Sequence, residues 1–298
     1  MRRSVLVTGA TSGVGLETAL RLARRGYDVF GTALDKDEAD LLRAAAAARG
    51  VGVRTVLLDV TDPHSCEQAF DEVAAHTDGG PWALVNNAGI LRMGAVEDLD
   101  DTTVHELFDV NLHGAARLTR LAVPVMRARG EGRVVNNSSL AGRVTAPLMG
   151  WYCATKAAMN AWNDALRMEV SPAGIQVVLI EADGYGSPIW DRAADALGAL
   201  ADSSSPHTSA YRAMIPALRA AARKPGPEPL IRAIVRALSA PRPKARQLVG
   251  VKAHLSALAD PLGPHRVADH LKRAAVDLGG PARSAVVRRA AHRWCAPW

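Results

Sequence analysis

Six short apolar, β-branched runs recur along the first 180 residues, the first five each followed by a longer stretch at helical spacing, and this rhythm restricts the fold more than any other feature. The runs Ser4–Thr8, Tyr27–Thr32, Val53–Leu58, Ala83–Asn86, Arg133–Asn137 and Ile175–Ile180 are predicted strands. Most lack polar alternation. Alternation is needed where one face of a sheet meets water, whereas strands covered by helices on both faces stay apolar throughout. The stretches between them predict helices over Gly13–Arg25, Asp37–Arg49, Pro63–His76, Thr102–Arg129 and Tyr152–Ser171. Consecutive βαβ units of this kind predict an α/β fold with a doubly wound parallel sheet.

Beyond Ile180 the rhythm breaks. Gly184, Gly186, Pro188, the Ser203-Ser204-Ser205-Pro206 cluster, Pro216 and Pro225-Gly226-Pro227 predict an irregular excursion with one or two short helices over 184–227, of the size used for lids and binding loops. A helix at Pro229–Ser239 and a strand at Gln247–Val251 then resume the pattern and give the sheet a seventh strand. No linker separates a second domain, so residues 1–298 read as one domain with a basic extension at 252–298.

The net charge of +6 is unevenly spread: residues 219–298 hold 16 Lys and Arg against 4 Asp and Glu. These bases lie among alanines and leucines, without a run of five and without interleaved aromatics, which predicts a solvated or self-docking face and no nucleic-acid partner. Cys66, Cys153 and Cys295 are odd in number and far apart, and no His/Cys cluster has ligand spacing, so neither a disulfide framework nor a metal site is expected. Met1-Arg2-Arg3 runs through a short apolar segment straight into a glycine turn, so it reads as a first strand and not a signal peptide. No window reaches the roughly 18 apolar residues of a membrane span. The expected compartment is the cytoplasm.

The first strand ends in Thr8-Gly9-Ala10-Thr11-Ser12-Gly13-Val14-Gly15, which also opens the first helix. Glycines there let backbone N–H groups approach a pyrophosphate, whose charge a helix N-terminus favours. The candidate phosphate cradle is therefore Gly9, Thr11, Ser12, Gly13, Val14 and Gly15, spaced G-x-x-x-G-x-G. At the end of the second strand an acid would bind ribose hydroxyls and an arginine a 2′-phosphate. Thr32-Ala33-Leu34-Asp35-Lys36 leaves three readings open: Asp35 on the ribose, Lys36 on a phosphate, or both as solvated loop charges.

Four further segments follow in an order that resembles the short-chain dehydrogenase/reductase family from residue 4 to about 190. They are Asp59-Val60, Asn86-Asn87-Ala88-Gly89, Asn111 within Val110-Asn111-Leu112-His113-Gly114, and Ser138-Ser139 followed by Tyr152-Cys153-Ala154-Thr155-Lys156. The resemblance implies a single-domain Rossmann fold and an NAD(P)(H) coenzyme, with NADP favoured over NAD. It places Asp59 and Val60 at the adenine, and Asn87, Ala88 and Gly89 along the coenzyme groove. Asn111, Ser139, Tyr152 and Lys156 become the catalytic residues, with Tyr152 and Lys156 also touching the coenzyme, and a homodimer or homotetramer is implied. The chemistry suits these residue types. A carbonyl gaining hydride needs a proton, and a cation one helical turn from a phenol favours the phenolate. Ser139 would orient the substrate oxygen and Asn111 would hold a water linking Lys156 to solvent.

The chain departs from the family after the sixth strand, where Ala182-Asp183 stands in place of Pro-Gly. Ser187 can supply the hydroxyl that grips the nicotinamide carboxamide, and Asp183 reads as a turn residue ahead of a substrate contact. Leu91, Met93, Met149, Trp151 and Trp190 are candidate apolar substrate contacts. His113 reads as a helix residue without a catalytic part. The segment from Ser239 to Gly250 resembles the 17β-hydroxysteroid and retinol dehydrogenase branch, which implies a lipophilic secondary alcohol or ketone, steroid-, retinoid- or polyketide-like, under the 184–227 cover. Two other readings remain: an epimerase or dehydratase working through a transient ketone, and a non-catalytic nucleotide-sensing regulator.

Overall fold

The computed structural model describes residues 2–250, 253–254 and 265–276. Val251 and most of the 252–298 extension lie outside the described residues. The strands are β1 (Ser4–Val7), β2 (Asp28–Ala33), β3 (Arg54–Leu57), β4 (Ala83–Asn86), β5 (Gly132–Ser139), β6 (Ile175–Ala182) and β7 (Arg246–Val249). They form one seven-stranded sheet in the order β3-β2-β1-β4-β5-β6-β7, every pair parallel. Each predicted strand is present, with no end shifted by more than two residues. β5 gains the most, running on to Ser139, because all eight of its residues pair with β6.

The helices are α1 (Gly13–Arg24), α2 (Lys36–Ala48), α3 (Pro63–Ala75), α4 (Asp101–Phe108), α5 (Gly114–Arg129), α6 (Gly150–Val170), α7 (Pro188–Ala201), α8 (Thr208–Ala222), α9 (Glu228–Ser239) and α10 (His265–Ala275). Asp35, Asp62 and Asp100 start α2, α3 and α4 by accepting backbone N–H bonds at their N-termini. Alternate residues of each strand face opposite layers. Val5 and Val7 pack with Leu22 of α1, Leu42 of α2 and Ile231, Ile234 and Leu238 of α9. Leu6 packs on the other side with Phe70 of α3 and Leu118 and Met126 of α5. Helices thus cover both faces, which explains why the strands carry no polar alternation.

Two elements differ from their sequence reading. The single helix expected over Thr102–Arg129 is interrupted at Asp109–His113 by one π-helical turn, which separates α4 from α5. A one-residue insertion of this kind re-aims a side chain without ending the helix. The excursion expected to be irregular is a pair of regular helices of 14 and 15 residues. Ala193, Ala194, Leu197 and Ala201 of α7 recur every three or four residues and pack against Ala210, Tyr211, Met214 and Leu218 of α8. The glycines and prolines that suggested irregularity sit at the ends of these helices, apart from Pro216 inside α8.

Part of the basic C-terminal region does dock on the domain. Arg246 of β7 binds Asp164 of α6 at 2.5 Å and reaches Glu181 of β6 at 3.5 Å. No helix of the described residues is long and apolar enough to cross a membrane.

Arg133 of β5, 6 % exposed, ties the sheet to α9 by donating to the carbonyls of Ala237, Leu238 and Ala240 at 2.6, 2.7 and 2.9 Å. Those carbonyls end a helix and have no intrahelical donor, so a buried cation is well matched to them. Arg133→Met leaves them without that donor and is expected to lower the unfolding free energy by about 3 kcal/mol. Urea denaturation measures this, and an unchanged midpoint would contradict it.

Candidate active site

The C-terminal ends of the strands open into a cleft of about 540 Å³. Its floor begins at the turn after β1. Gly9 (φ +62°) and Gly13 (φ +53°) hold left-handed backbone conformations, which glycine adopts without strain. A Cβ at Gly15 would stand 1.9 Å from the Gly9 carbonyl oxygen and 2.6 Å from Asn87 Nδ2, so α1 can approach the turn only because that atom is missing. Ser12 is the N-cap of α1, but its side chain makes no capping bond and no acid occupies the first turn, unlike α2 and α4. Backbone donors and the positive helix end are thus left for an external anion.

The turn after β4 is fastened to this one. Asn87 Nδ2 donates to the carbonyls of Thr8 at 2.9 Å and Gly9 at 3.3 Å, and the Asn87 and Ala88 N–H groups both donate to Thr8 Oγ1 at 2.9 Å. Asn137 Nδ2 of β5 donates to Asn87 Oδ1 at 3.0 Å, and Lys156 Nζ donates to the Asn137 carbonyl at 3.3 Å. A chain of hydrogen bonds therefore runs from the glycine turn across β4 and β5 to α6.

At the far end of that chain Ser139, Tyr152 and Lys156 line the same cleft. Ser139 ends β5 and Tyr152 lies in the first turn of α6, so the sheet and one long helix set their separation. Burial pushes the Tyr152 phenol up to about 12, and a hydrogen bond from the Ser139 hydroxyl pulls the other way. Burial brings the Lys156 ammonium, 5 % exposed, down to about 8. Its Nζ lies 5.8 Å from the Tyr152 ring centroid and turns to the Asn137 carbonyl. Spacing along the helix brings cation and phenol near each other, but the expected drop in phenol pKa is not found: burial raises it, and the opposing pull comes from Ser139.

At the other end of the cleft stand Thr11, Thr32, Leu34, Glu38 and Asp59. Asp35, one expected ribose contact, instead caps α2 by accepting from Glu38 N–H at 2.8 Å. Lys36 is exposed and does not line the cleft. The carboxylate that reaches the wall is Glu38, whose Oε2 accepts from Thr11 Oγ1 at 3.1 Å and Leu34 N–H at 3.0 Å.

Residues 3–196 match the profile of the family described as short chain dehydrogenase. The chain belongs to the short-chain dehydrogenase family. It is 40% identical over 181 residues to the uncharacterized oxidoreductase YbbO of Escherichia coli (strain K12), covering 61% of this chain and 65% of that one. Estradiol 17-beta-dehydrogenase 2 of Rattus norvegicus is 34% identical over 201 residues, covering 64% of this chain and 52% of that one. Matched regions thus span between half and two thirds of these relatives' length. The crystal structure of a point variant of actinorhodin polyketide ketoreductase with NADPH superposes with a TM-score of 0.70 at 27% identity, covering 83% of this chain and 95% of that one.

In this short-chain dehydrogenase, Gly9, Thr11, Ser12, Gly13, Val14, Asp59, Val60, Asn87, Ala88, Gly89 and Ser187 all line the cleft with the three residues above. Gly15 lies behind the turn as a packing glycine. Asn111, 1 % exposed in the π-helical turn, also stays out of the lining. Its side chain donates to the Ile90 carbonyl and accepts from Ile90 N–H, at 3.0 and 2.9 Å, and reaches Thr155. Ser187 caps α7 close over Gly13. Asp183 accepts from Gly184 N–H at 2.8 Å, as a turn residue does, while still lining the cleft. Leu91, Met149 and Trp190 reach the cleft, whereas Met93 is buried in the core and Trp151 bonds the Val96 carbonyl. His113 is exposed beside Asp109.

Sequence reading missed a buried polar cluster behind Ser139 and Tyr152. Glu181, fully buried, takes two bonds from Arg143 at 2.7 Å and one from Asn160 at 2.9 Å, and Asn160 also accepts from Ser138. It missed Glu38 too, although the Asp35-x-x-Glu38 pattern announces a glutamate turned back over a helix start.

With a pKa near 8 against an ordinary 10.5, Lys156 has released its proton in the folded protein at pH values where the unfolded chain still holds it. Stability therefore rises with pH through that window, and below it the buried ammonium costs up to about 3 kcal/mol. Lys156→Met is expected to raise the unfolding free energy at about pH 7, with the gain fading toward about pH 10. Unfolding curves at both values check this. A variant less stable than wild type at neutral pH would contradict it.

Proposed function

We propose that the chain is an NAD(P)-dependent oxidoreductase that interconverts a secondary alcohol and a ketone on a lipophilic substrate, with Tyr152 as the general acid/base. The observation that carries this reading is the hydrogen-bonded Ser139–Tyr152 pair with Lys156 one turn on, in the cleft that starts at the glycine turn. The bound coenzyme would supply or accept the hydride. Gly9, Ser12, Gly13 and the α1 N-terminus would hold its pyrophosphate, and Lys156 its nicotinamide ribose. The uncapped helix end and the missing Cβ atoms fit such a group.

The protein's own part is to place and protonate an oxygen. Ser139 donates to the substrate oxygen, and Tyr152 delivers its proton there during reduction or removes it during oxidation. A phenol with a pKa of about 12 is protonated at neutral pH, which suits delivery to a developing alkoxide. Lys156, with a pKa of about 8, is still charged at pH 7 and stabilises the phenolate left behind. Leu91, Met149, Ile189 and Trp190 supply an apolar wall for the substrate, under the cover of α7 and α8. The steroid name of one relative and the polyketide name of another favour a bulky carbon skeleton for that wall. In this reading the outer face of α6, where Met168 is exposed, pairs protomers of a homodimer or homotetramer.

The resemblance favours NADP, but the cleft geometry supports NAD. A 2′-phosphate needs a cation, and the wall near the end of β2 offers the carboxylates of Glu38 and Asp59 instead. The cations lining the cleft are Lys156, held at the phenol, and Arg192 of α7.

Tyr152→Phe is expected to reduce turnover to background while leaving reduced-coenzyme binding, followed by its fluorescence, nearly unchanged. A variant that kept more than a few per cent of activity on a true substrate would overturn the assignment. Glu38→Gln removes one charge from the ribose end and is expected to lower the ratio of kcat/KM with NAD to that with NADP by roughly tenfold or more. An unchanged ratio would remove Glu38 from coenzyme selection.

A further inference from the structure

A second cleft, of about 570 Å³, lies at the far edge of the sheet beside β7. Among the described residues, five of the ten that line it are Arg or Lys and none is an acid. Two of the five, Arg143 and Arg246, form its inner side and are already matched to the buried Glu181 and to Asp164. The other three, Arg236, Arg242 and Lys244, are exposed, and their side chains have no partner among the described residues. Three cations converging on one concavity repel each other, and a recess with protein walls concentrates that field. Folding gains nothing from such a cluster unless an anion enters it.

The chain itself is a poor source of that anion. From Ala240 to the end of the sequence, eleven Lys and Arg stand against three Asp and Glu, so the C-terminal region adds to the positive charge. The local sequence also fixes the cations in place. Pro241 and Pro243 flank Arg242 and restrict its backbone, and Lys244 follows before the chain enters β7. Guanidinium groups present planar forks that match phosphate oxygens, whereas lysine contributes a point charge. The volume falls in the range of small-molecule sites, and a concave wall suits a compact anion better than a flat membrane surface.

We propose that this cleft is a binding site for the phosphate or diphosphate group of a small molecule, separate from the coenzyme cleft. Arg236, Arg242 and Lys244 hold the anion, and Arg143 and Arg246 form the wall behind it. Glu181 joins that wall to Asn160 and Ser138 beside the catalytic residues, so Arg143 and Arg246 are unsuitable for substitution. Arg242 and Lys244 make no such bonds and can be changed without touching the site chemistry.

The test titrates inorganic pyrophosphate into the intact protein by calorimetry at constant ionic strength, comparing wild type with Arg242→Ala/Lys244→Ala. Saturable binding that weakens roughly tenfold or more in the double variant, with the fold retained by circular dichroism, is the expected result. Absence of saturable binding would overturn the proposal. So would binding of equal strength in the double variant, because pyrophosphate would then be sitting at the glycine turn. A third arm uses phosphatidylglycerol vesicles: binding to vesicles without binding to pyrophosphate would identify a membrane-facing surface and reject the small-molecule site. None of these outcomes depends on which coenzyme or ketone the other cleft accepts.

Discussion

Asn87 uses its amide nitrogen to hold the Thr8 and Gly9 carbonyls and its amide oxygen to receive Asn137, so the ends of β1, β4 and β5 are locked at one level, and the site rests on that side chain. In a parallel sheet the strand ends are the natural place for a ligand, because the loops that leave them splay apart toward opposite helix layers. That divergence also weakens their mutual positioning. An asparagine with both ends of its amide satisfied restores it, and Lys156 extends the chain to α6 through the Asn137 carbonyl. The glycine turn and α6, far apart in sequence, are thereby placed as one unit.

The electrostatics of the cleft follow from the same arrangement. Bringing Lys156 and Tyr152 into a low-polarity recess moves both away from their charged forms, the phenol upward and the ammonium downward. At neutral pH only the lysine shift costs stability, because the phenol is protonated in the folded and the unfolded chain alike. A lysine near 8 is within reach of neutral solution, and a phenol that keeps its proton is a ready donor to an alkoxide. Around this pair the protein sets polar groups that bond one another: Asn111 with Ile90, Glu181 with Arg143 and Asn160, Asn136 with Asn86 and Asn163. Such buried networks favour one geometry, because a rearrangement that breaks these bonds leaves further polar groups unpaired.

The strands were legible in the sequence because burial on both faces leaves an unbroken apolar run, and alternation with helices marks the sheet as parallel. Asn111, Ser139, Tyr152 and Lys156 stood out as residue types in the order of the family, and the fold brings Ser139, Tyr152 and Lys156 to one cleft while Asn111 lies outside its lining. Three features were hidden, each for a physical reason. A π-helical turn adds one residue to a helix, and no periodicity in 102–129 distinguishes it from continuous α-helix. The α7–α8 pair is joined through alanine-rich faces, whose apolar signal is weaker than that of the glycines and prolines around them. Glu38 reads as a helix-starting residue, and only the approach of Thr11 from the neighbouring turn carries it into the cleft wall. The pKa of Tyr152 went the other way from expectation, because spacing reports which groups meet but not how much water leaves with them.

Transfer of hydride between a coenzyme carbon and a substrate carbon, with the proton handled at Tyr152, is the central claim, and isotope transfer addresses it most directly. Reduced coenzyme carrying deuterium on one or the other face of its nicotinamide C4 is turned over with a lipophilic ketone, and the alcohol is analysed by mass spectrometry. The account predicts deuterium at the carbinol carbon from one face alone, since a single cleft fixes the ring against Tyr152. Alcohol formed without deuterium from either face, or with equal amounts from both, would contradict it.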